Sequence, residues 1–336
     1  MQLAKKYSWE IALFGLLIIE ILGFGMFNTR LLDFNVLLNS TSDFIYIGML
    51  ALPLTLIIVS GGMDISFGSV VGLCAITLGV LFKLELPLSV AIFATFVVGI
   101  TCGVINAALI IYTQVNPLVI TLGTMYLFGG GALLLSGFAG ATGYEGIGGF
   151  PDVLLDFANH TIGIIPTPIL YFLLITFLFW LLMHRTRIGR STFLIGQSQR
   201  VSKYSAVPIN QTFFIIYASI GLIASFVAVL LVSYFGSARS DLGSSLLMPA
   251  LTAVVLGGAN IYGGSGSVVG TAIASLLIGY LQQGLQMVGI SNETSSALSG
   301  ALLIIVLVGK SVNTHRSTIE SWFKRKYLTQ QSSTQS

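Results

Sequence analysis

The chain is short of charge. Of 336 residues only 8% are Asp, Glu, Lys or Arg, against roughly 25% in an average soluble domain, so the water-facing surface of a soluble enzyme or a disordered scaffold is missing. It is also short of cysteine and histidine. The two cysteines, Cys74 and Cys102, both lie inside apolar runs, which excludes a disulfide framework and a zinc site. The three histidines, His160, His184 and His315, stand at run edges or in loops, and no His, Cys and carboxylate cluster has metal-ligand spacing. There is no HExxH helix and no GxSxG elbow. Gly309-Lys310-Ser311 imitates the end of a phosphate-binding loop, but Ile304 occupies the position of its leading glycine, which leaves Lys310 as an anchor at the end of a span. A net charge of +3 gives no footprint for nucleic acid.

What is present is apolar. Hydrophobic residues make up 55% of the chain, the mean hydropathy is +0.93, and charge-free runs cover 44–63, 65–82, 86–144, 204–238 and 242–292. About 18 or more such residues span a bilayer as a helix. The runs stay apolar on both parities, which excludes barrel strands. The fold class expected is an all-α polytopic membrane protein of about ten helices, over 9–27, 44–60, 66–83, 88–111, 118–136, 163–183, 212–235, 247–262, 267–287 and 295–310. The segment 247–262 is short and Gly-rich enough to be re-entrant. The first run follows Lys5 and Lys6 but has no small-x-small cleavage site, so it reads as a retained span. The transmembrane domain then covers 1–310 and a tail covers 311–336.

Lys and Arg collect in cytoplasmic loops. The stretch 184–211 carries Arg185, Arg187, Arg190, Arg200 and Lys203 with no acid, and the tail from Lys310 adds Arg316, Lys324, Arg325 and Lys326 against Glu320. By contrast, 137–162 holds Glu145, Asp152 and Asp156 and no cation. Both termini and 184–211 are therefore expected in the cytoplasm, an arrangement that needs an even number of crossings.

Two segments echo each other. Pro53–Gly72 reads PLTLIIVSGGMDISFGSVVG and Pro249–Gly270 reads PALTAVVLGGANIYGGSGSVVG. Each places Gly-Gly (Gly61-Gly62, Gly257-Gly258) eight residues after a proline and ends in Gly-Ser-Val-Val-Gly. Matched Gly/Pro-interrupted segments mark the working region of duplicated transporters, although glycine-rich helix breaks also converge by chance. The charge-derived topology puts both breaks near the cytoplasmic side in the same sense, unlike an inverted repeat.

Asp64, in Ser60-Gly61-Gly62-Met63-Asp64-Ile65-Ser66, is the most informative single residue. A carboxylate at membrane depth is costly, so it caps the helix starting near Ser66 or takes part in a substrate path or gate. Glu20 is a second intramembrane acid, suited either to a partner subunit or to a path. Small polar groups that could line a path are Ser66, Asn106, Asn116, Thr121, Thr124 and Asn260, although Asn and Thr also join helices. Uncharged hydrogen-bonding groups suit a neutral sugar-like solute better than an ion. The basic stretch 186–210, TRIGRSTFLIGQSQRVSKYSAVPIN, contains Phe193, Leu194 and Ile195 and an amphipathic piece around 197–207. It needs a surface to cover it, either a partner protein or anionic lipid.

Three of these segments resemble a known family. SGGMDISFGSVVGL is similar to the signature of permease subunits in the ribose-type branch of ATP-binding-cassette importers. LGGANIYGGSGSVVGT resembles that branch's second Gly-rich motif, and IGRSTFLIGQSQRVSKYSAVPI its cytoplasmic coupling segment. STSDFIYIGMLALPLT, NPLVITLGTMYLF, SGFAGATGYEGIGGFP and SYFGSARSDLG narrow the resemblance to a D-type subgroup. Its implied solute is autoinducer-2, a small furanosyl molecule, with a pentose as the alternative. The resemblance implies a second, C-type permease, two ATPase subunits that use ATP and Mg, a periplasmic solute-binding protein, and residence in the bacterial inner membrane. No cofactor is expected in this chain. Coupling to the ATPase is implied for Gly189, Arg190, Gly196, Gln197, Arg200 and Lys203. Related sugar permeases carry Gly-Gly-Asn with acids there, whereas Gly196-Gln197 and basic neighbours stand here. An ion-coupled secondary transporter acting through Asp64 or Glu20 is the competing reading.

Overall fold

In hydrocarbon every backbone N–H and C=O needs an internal partner, and the long apolar runs meet that demand as helices. The computed structural model describes residues 7–138, 140, 146–291 and positions 294, 295, 297, 298, 300–302, 304, 305 and 308. Thirteen α-helices run through the continuous part: α1 Ser8–Phe27, α2 Phe34–Thr41, α3 Ile45–Val59, α4 Phe67–Lys83, α5 Leu88–Thr113, α6 Pro117–Phe138, α7 Asp152–Asn159, α8 Thr167–Arg185, α9 Arg187–Gln197, α10 Gln199–Tyr204, α11 Ile209–Phe235, α12 Leu247–Leu256 and α13 Val268–Met287. The described positions between 294 and 308 are helical as well. A two-stranded hairpin, Thr161–Ile162 with Ile165–Pro166, and short 3-10 turns at Thr29–Leu32 and Ser244–Leu246 complete the described elements.

Among the described residues six helices are long and apolar enough to cross a membrane: α1, α5, α6, α8, α11 and α13. The pair α2 and α3 forms a seventh if its 53° bend is counted within one span. The remaining apolar helices are shorter, α4 at 17 residues and the segment Ser244–Leu256 around α12. Several expected boundaries move. The 3-10 turn Thr29–Leu32 and helix α2 lie within 28–43, which hydropathy leaves as a connection. The expected span 163–183 starts in the hairpin and becomes helical only at Thr167, next to Pro168. The expected 247–262 is helical only to Leu256, because the glycines beyond it adopt backbone angles that a helix cannot use. Most of the expected span 295–310, together with Lys310 and the tail 311–336, lies outside the described residues.

Helix α3 is hydrophobic all round, and every one of its residues is buried. Such a helix belongs at the centre of a bundle. It is surrounded by α8, α11, α12 and α13. Helix α1, by contrast, is mostly exposed, with 17% of its most apolar window buried against 72% for α11. Its exposed Phe14, Leu16 and Ile19 follow from that position.

Lipid is as apolar as leucine, so helices in a bilayer attract each other by close contact instead of by hydrophobic burial. Glycines provide that contact between α5 and α11. A Cβ at Gly103 would stand 2.1 Å from the Tyr217 carbonyl oxygen, and one at Gly221 2.1 Å from that of Gly99. The bundle has two ends. At one, residues 146–148 meet the start of the 236–246 connection through an Ile147–Ala238 bridge. At the other lie both glycine-rich breaks, the start of α1, the α5–α6 turn and the basic helices α9 and α10.

Candidate functional site

The first break, residues 60–66, joins the buried end of α3 to the start of α4. Gly61 takes φ +78°, a conformation costly for any residue with a Cβ. Asp64 follows, 1% exposed. Its Oδ1 accepts the Ser66 N–H at 2.7 Å and the Ser66 hydroxyl at 2.7 Å, which puts a carboxylate at the electropositive start of α4. Asn106 on α5 donates from Nδ2 to Ser66 Oγ at 2.8 Å, while its own Oδ1 is buried without a partner. One residue earlier the Met63 carbonyl accepts the Tyr217 hydroxyl of α11 at 3.1 Å and lies 3.5 Å from Thr121 Oγ1 of α6. Three expected residues, Asp64, Ser66 and Asn106, thus form one hydrogen-bonded chain, with Thr121 beside it. Together they pin four residues of irregular backbone between three helices.

The second break, residues 257–267, folds back on the start of α13. A Cβ at Gly257 would stand 2.5 Å from Thr271 backbone, and one at Gly270 2.1 Å from the Gly257 carbonyl oxygen. Gly258, Gly263 and Gly264 all take positive φ, at +106°, +89° and +81°. Asn260 stands in the exposed turn of this break, where Oδ1 accepts the Tyr262 N–H at 3.1 Å. It is therefore a turn residue, apart from the Asp64 chain.

The two breaks touch, and the basic segment touches both. The Gly264 N–H donates to the Val59 carbonyl at 2.8 Å, tying the second break to the last turn of α3. Gly196, on α9, lies in the same contact: a Cβ there would stand 1.9 Å from the Val59 carbonyl oxygen and 2.4 Å from the Gly264 nitrogen. A Cβ at Gly263 would meet Gly196 O at 2.8 Å and Gly61 N at 3.0 Å, and one at Gly264 would meet Gln197 Cγ at 3.0 Å. Three motifs separated by about two hundred positions therefore converge on one backbone junction, with no room for a methyl group at Gly196 or Gly263.

Helices α9 and α10 are built to present this junction. Thr186 Oγ1 accepts the Gly189 N–H at 3.3 Å and caps α9. A Cβ at Gly189 would stand 1.9 Å from the Met183 carbonyl oxygen, so glycine lets α9 fold tightly against the end of α8. Ile195 is buried, Phe193 is half-buried and Leu194 exposed, so the apolar triplet is only partly covered by this chain. Arg190, Gln197, Arg200 and Lys203 are exposed.

A cleft lined by both polar and apolar side chains leads from that surface to the first break. Its outer part, about 600 Å³, is lined by Gln114, Gln199, Arg200, Lys203, Asn210 and Gln211 among others. The inner part, about 170 Å³, reaches Ser60, Gly61 and Asn116 and shares Gln114, Gln199 and Asn210 with the outer one. Asn116 also starts α6, its Oδ1 accepting the Leu118 N–H at 2.9 Å. Thr124 bonds within α6, to the Thr121 carbonyl at 3.3 Å. Glu20 stands in α1 with both carboxylate oxygens buried and unpartnered, far along the helix from the junction.

Sequence reasoning missed Tyr217, Gln114, Trp9 and Glu10. Trp9 Nε1 donates to the Leu256 carbonyl at 2.9 Å, and Ser267 Oγ donates to Glu10 Oε1 at 2.9 Å. An indole and an acid in the first turn of an apolar helix are the only local signals, and Tyr217 looks like ordinary core. Chemically the arrangement lacks reactive groups. Among the described residues no three His, Cys, Asp or Glu side chains gather where a metal ion could bind, and Cys74 and Cys102 are free and buried. It holds backbone in two irregular segments and links them to a surface helix.

Comparison with known proteins agrees with that picture. Residues 36–307 match the family model described as branched-chain amino acid transport system / permease component. The chain is 68% identical over 322 residues to the Autoinducer 2 import system permease protein LsrD of Salmonella typhimurium (strain LT2), covering 96% of this chain and 97% of that one. The protein of the same name from Salmonella choleraesuis gives the same figures. The one from Yersinia pseudotuberculosis serotype I is 65% identical over 326 residues, with 97% and 98% covered. No solved structure matches the chain. These relatives are permeases of an import system, a transport role with which the apolar helices and the unreactive junction agree, and the chain belongs to the permease-component family of branched-chain amino acid transport systems.

Proposed function

We propose that this permease forms, with a second permease of the C type, the path by which autoinducer-2 enters the cytoplasm. Two ATPase subunits drive the cycle and a periplasmic binding protein delivers the solute. The observation that carries the reading is the junction of Gly196 with Val59, Gly61, Gly263 and Gly264, since any displacement of α9 must move both breaks. In this reading Gly189, Arg190, Gly196, Gln197, Arg200 and Lys203 take the push of the ATPase, and Asp64, Ser66, Asn106, Asn116 and Thr121 line or shape the path. Asn260, in its exposed turn, serves the break and not the path. ATP and Mg are bound by the motor subunits. The path alternates between two states of unequal affinity for the solute, without which coupling would move nothing.

Ten crossings with both termini in the cytoplasm complete the proposal. Support comes from the uncompensated cations Arg185, Arg187, Arg190, Arg200 and Lys203, which cluster at the end of the bundle where both breaks lie. Six long helices, the bent α2–α3 pair, the two short apolar helices and the segment 295–310 give that count. The neutral amides along the cleft suit a hydroxyl-rich solute. The reading is tested by uptake in cells lacking this permease and re-supplied with it. Autoinducer-2 uptake should be restored and ribose uptake left unchanged. Restored ribose uptake alone would replace the solute with a pentose.

A further inference from the structure

The two breaks are held from different directions, and the second has a restraint that the first lacks. Helix α12 ends at Leu256, whose carbonyl accepts Trp9 Nε1–H at 2.9 Å. Trp9's ring lies over Gly258, where a Cβ would stand 3.4 Å from Cδ1. Eleven positions after Leu256 the chain re-enters helix at Ser267, whose Oγ accepts the Gly270 N–H at 3.1 Å and caps α13. The same hydroxyl donates its proton to Glu10 Oε1 at 2.9 Å. A carboxylate placed behind a capping serine also opposes the positive end of α13. Trp9 and Glu10 are consecutive residues in the first turn of α1, so one helix start contacts both ends of the second break.

We propose that Trp9 and Glu10 are positioning residues for transport, making α1 the fixed post against which the second break flexes when α9 moves. The geometry assigns each part. Gly264 N–H on Val59 O and the close packing of Gly263 on Gly196 transmit displacement into the break from one side. Trp9 and Glu10 hold its two ends from the other. A glycine-rich segment pushed at its middle and released at its ends would slide as a body, and the push would leave the solute path unchanged. Held at both ends, it must change its own shape. This inference rests on the reading of the chain as a permease driven by a separate ATPase.

The test uses the complete importer in vesicles, with both permeases, the ATPases and the binding protein, and reads ATP hydrolysis and autoinducer-2 uptake separately. Trp9→Ala and Glu10→Ala should lower uptake about tenfold while hydrolysis stays within about twofold of wild type, because the motor still cycles against a slack linkage. Glu10→Gln keeps an oxygen for the Ser267 hydroxyl and should restore most of the uptake. Trp9→Phe keeps the ring over Gly258 without the N–H and should fall between. A parallel fall of uptake and hydrolysis in both alanine variants, with no rescue by Glu10→Gln, would mean a purely structural role and overturn the proposal. If the alanine variants do not assemble, a short thiol crosslink between Glu10→Cys and Ser267→Cys decides instead: uptake persists if the post is stationary and stops if that contact opens in each cycle. Absence of ATP-dependent uptake by the wild-type importer would contradict the permease reading itself, an outcome distinct from these.

Discussion

The two glycine-rich breaks share a sequence pattern and differ in how they are held. The first is pinned through side chains that reach in from α5, α6 and α11: Asn106 on Ser66, Thr121 beside Met63, and the Tyr217 hydroxyl on the Met63 carbonyl. Its own carboxylate, Asp64, organises the start of the following helix. The second has no acid at the corresponding position, where Asn260 forms an exposed turn, and it borrows one from α1 in Glu10. Three of its glycines take positive φ against one in the first. Equal sequence signals thus give one break held by side chains from α5, α6 and α11 and another held by α1 and the end of α3. A repeated glycine-rich pattern marks where a helix is interrupted, and the neighbouring helices decide what holds it.

The substitution with the largest expected effect attacks the point where the breaks meet. Gly196→Val puts side-chain carbon into a contact already closed at the Val59 carbonyl. Overpacking of this kind costs about 1–3 kcal/mol, and ATP-driven uptake should fall by about tenfold or more. Uptake into vesicles loaded with ATP inside checks this, with assembly confirmed by co-purification. Next is Asp64→Ala, which strips the Ser66 N–H and hydroxyl of their acceptor and removes the charge at the start of α4. Loss of a helix cap costs about 1–2 kcal/mol, read as a lower midpoint in thermal unfolding in detergent. Asp64→Asn keeps an acceptor and should lose less, which separates the hydrogen bonds from the charge. At Asn260 an Ala substitution should cost under about 1 kcal/mol, because only one exposed turn bond is lost. A larger loss there than at Asp64 would reverse the ranking of the two breaks. The smallest effect concerns the helices behind the junction, where Thr55 Oγ1 and Thr271 Oγ1 lie 2.9 Å apart. Thr55→Val, combined with Thr271→Val in a double-mutant cycle, should give a coupling of about 0.6 kcal/mol.

Much of the fold was legible from hydropathy, and the reasons for the misses are specific. Runs such as 88–111 and 212–235 stay apolar through a full membrane thickness, and the helices match them within a few residues. The expected boundary at 163 falls too early because Ile164 and Ile165 are apolar, yet they sit in a hairpin closed by Gly163 at φ +67°. The helix α2 was missed because Asn35, Asn39 and Ser40 make it polar on one side. The grouping of Asp64 with Ser66 and Asn106 was partly visible, since a carboxylate at membrane depth demands partners. That Asn106 would supply one, forty positions away, depends on how α5 packs through Gly99 and Gly103. The meeting of Gly196 with both breaks had a compositional trace, glycine in all three motifs, but contact across more than a hundred positions is a property of the bundle. Trp9 and Glu10 left no such trace.

The central claim is that this chain moves solute only when a separate ATPase acts on α9 and, through Gly196, on both breaks. Vesicles containing this permease with its partner permease and binding protein, loaded with ATP inside, measure it directly when the ATPase subunits are added or withheld. The account predicts autoinducer-2 accumulation only with the ATPases present. Accumulation without them, driven by a proton or sodium gradient, would contradict it.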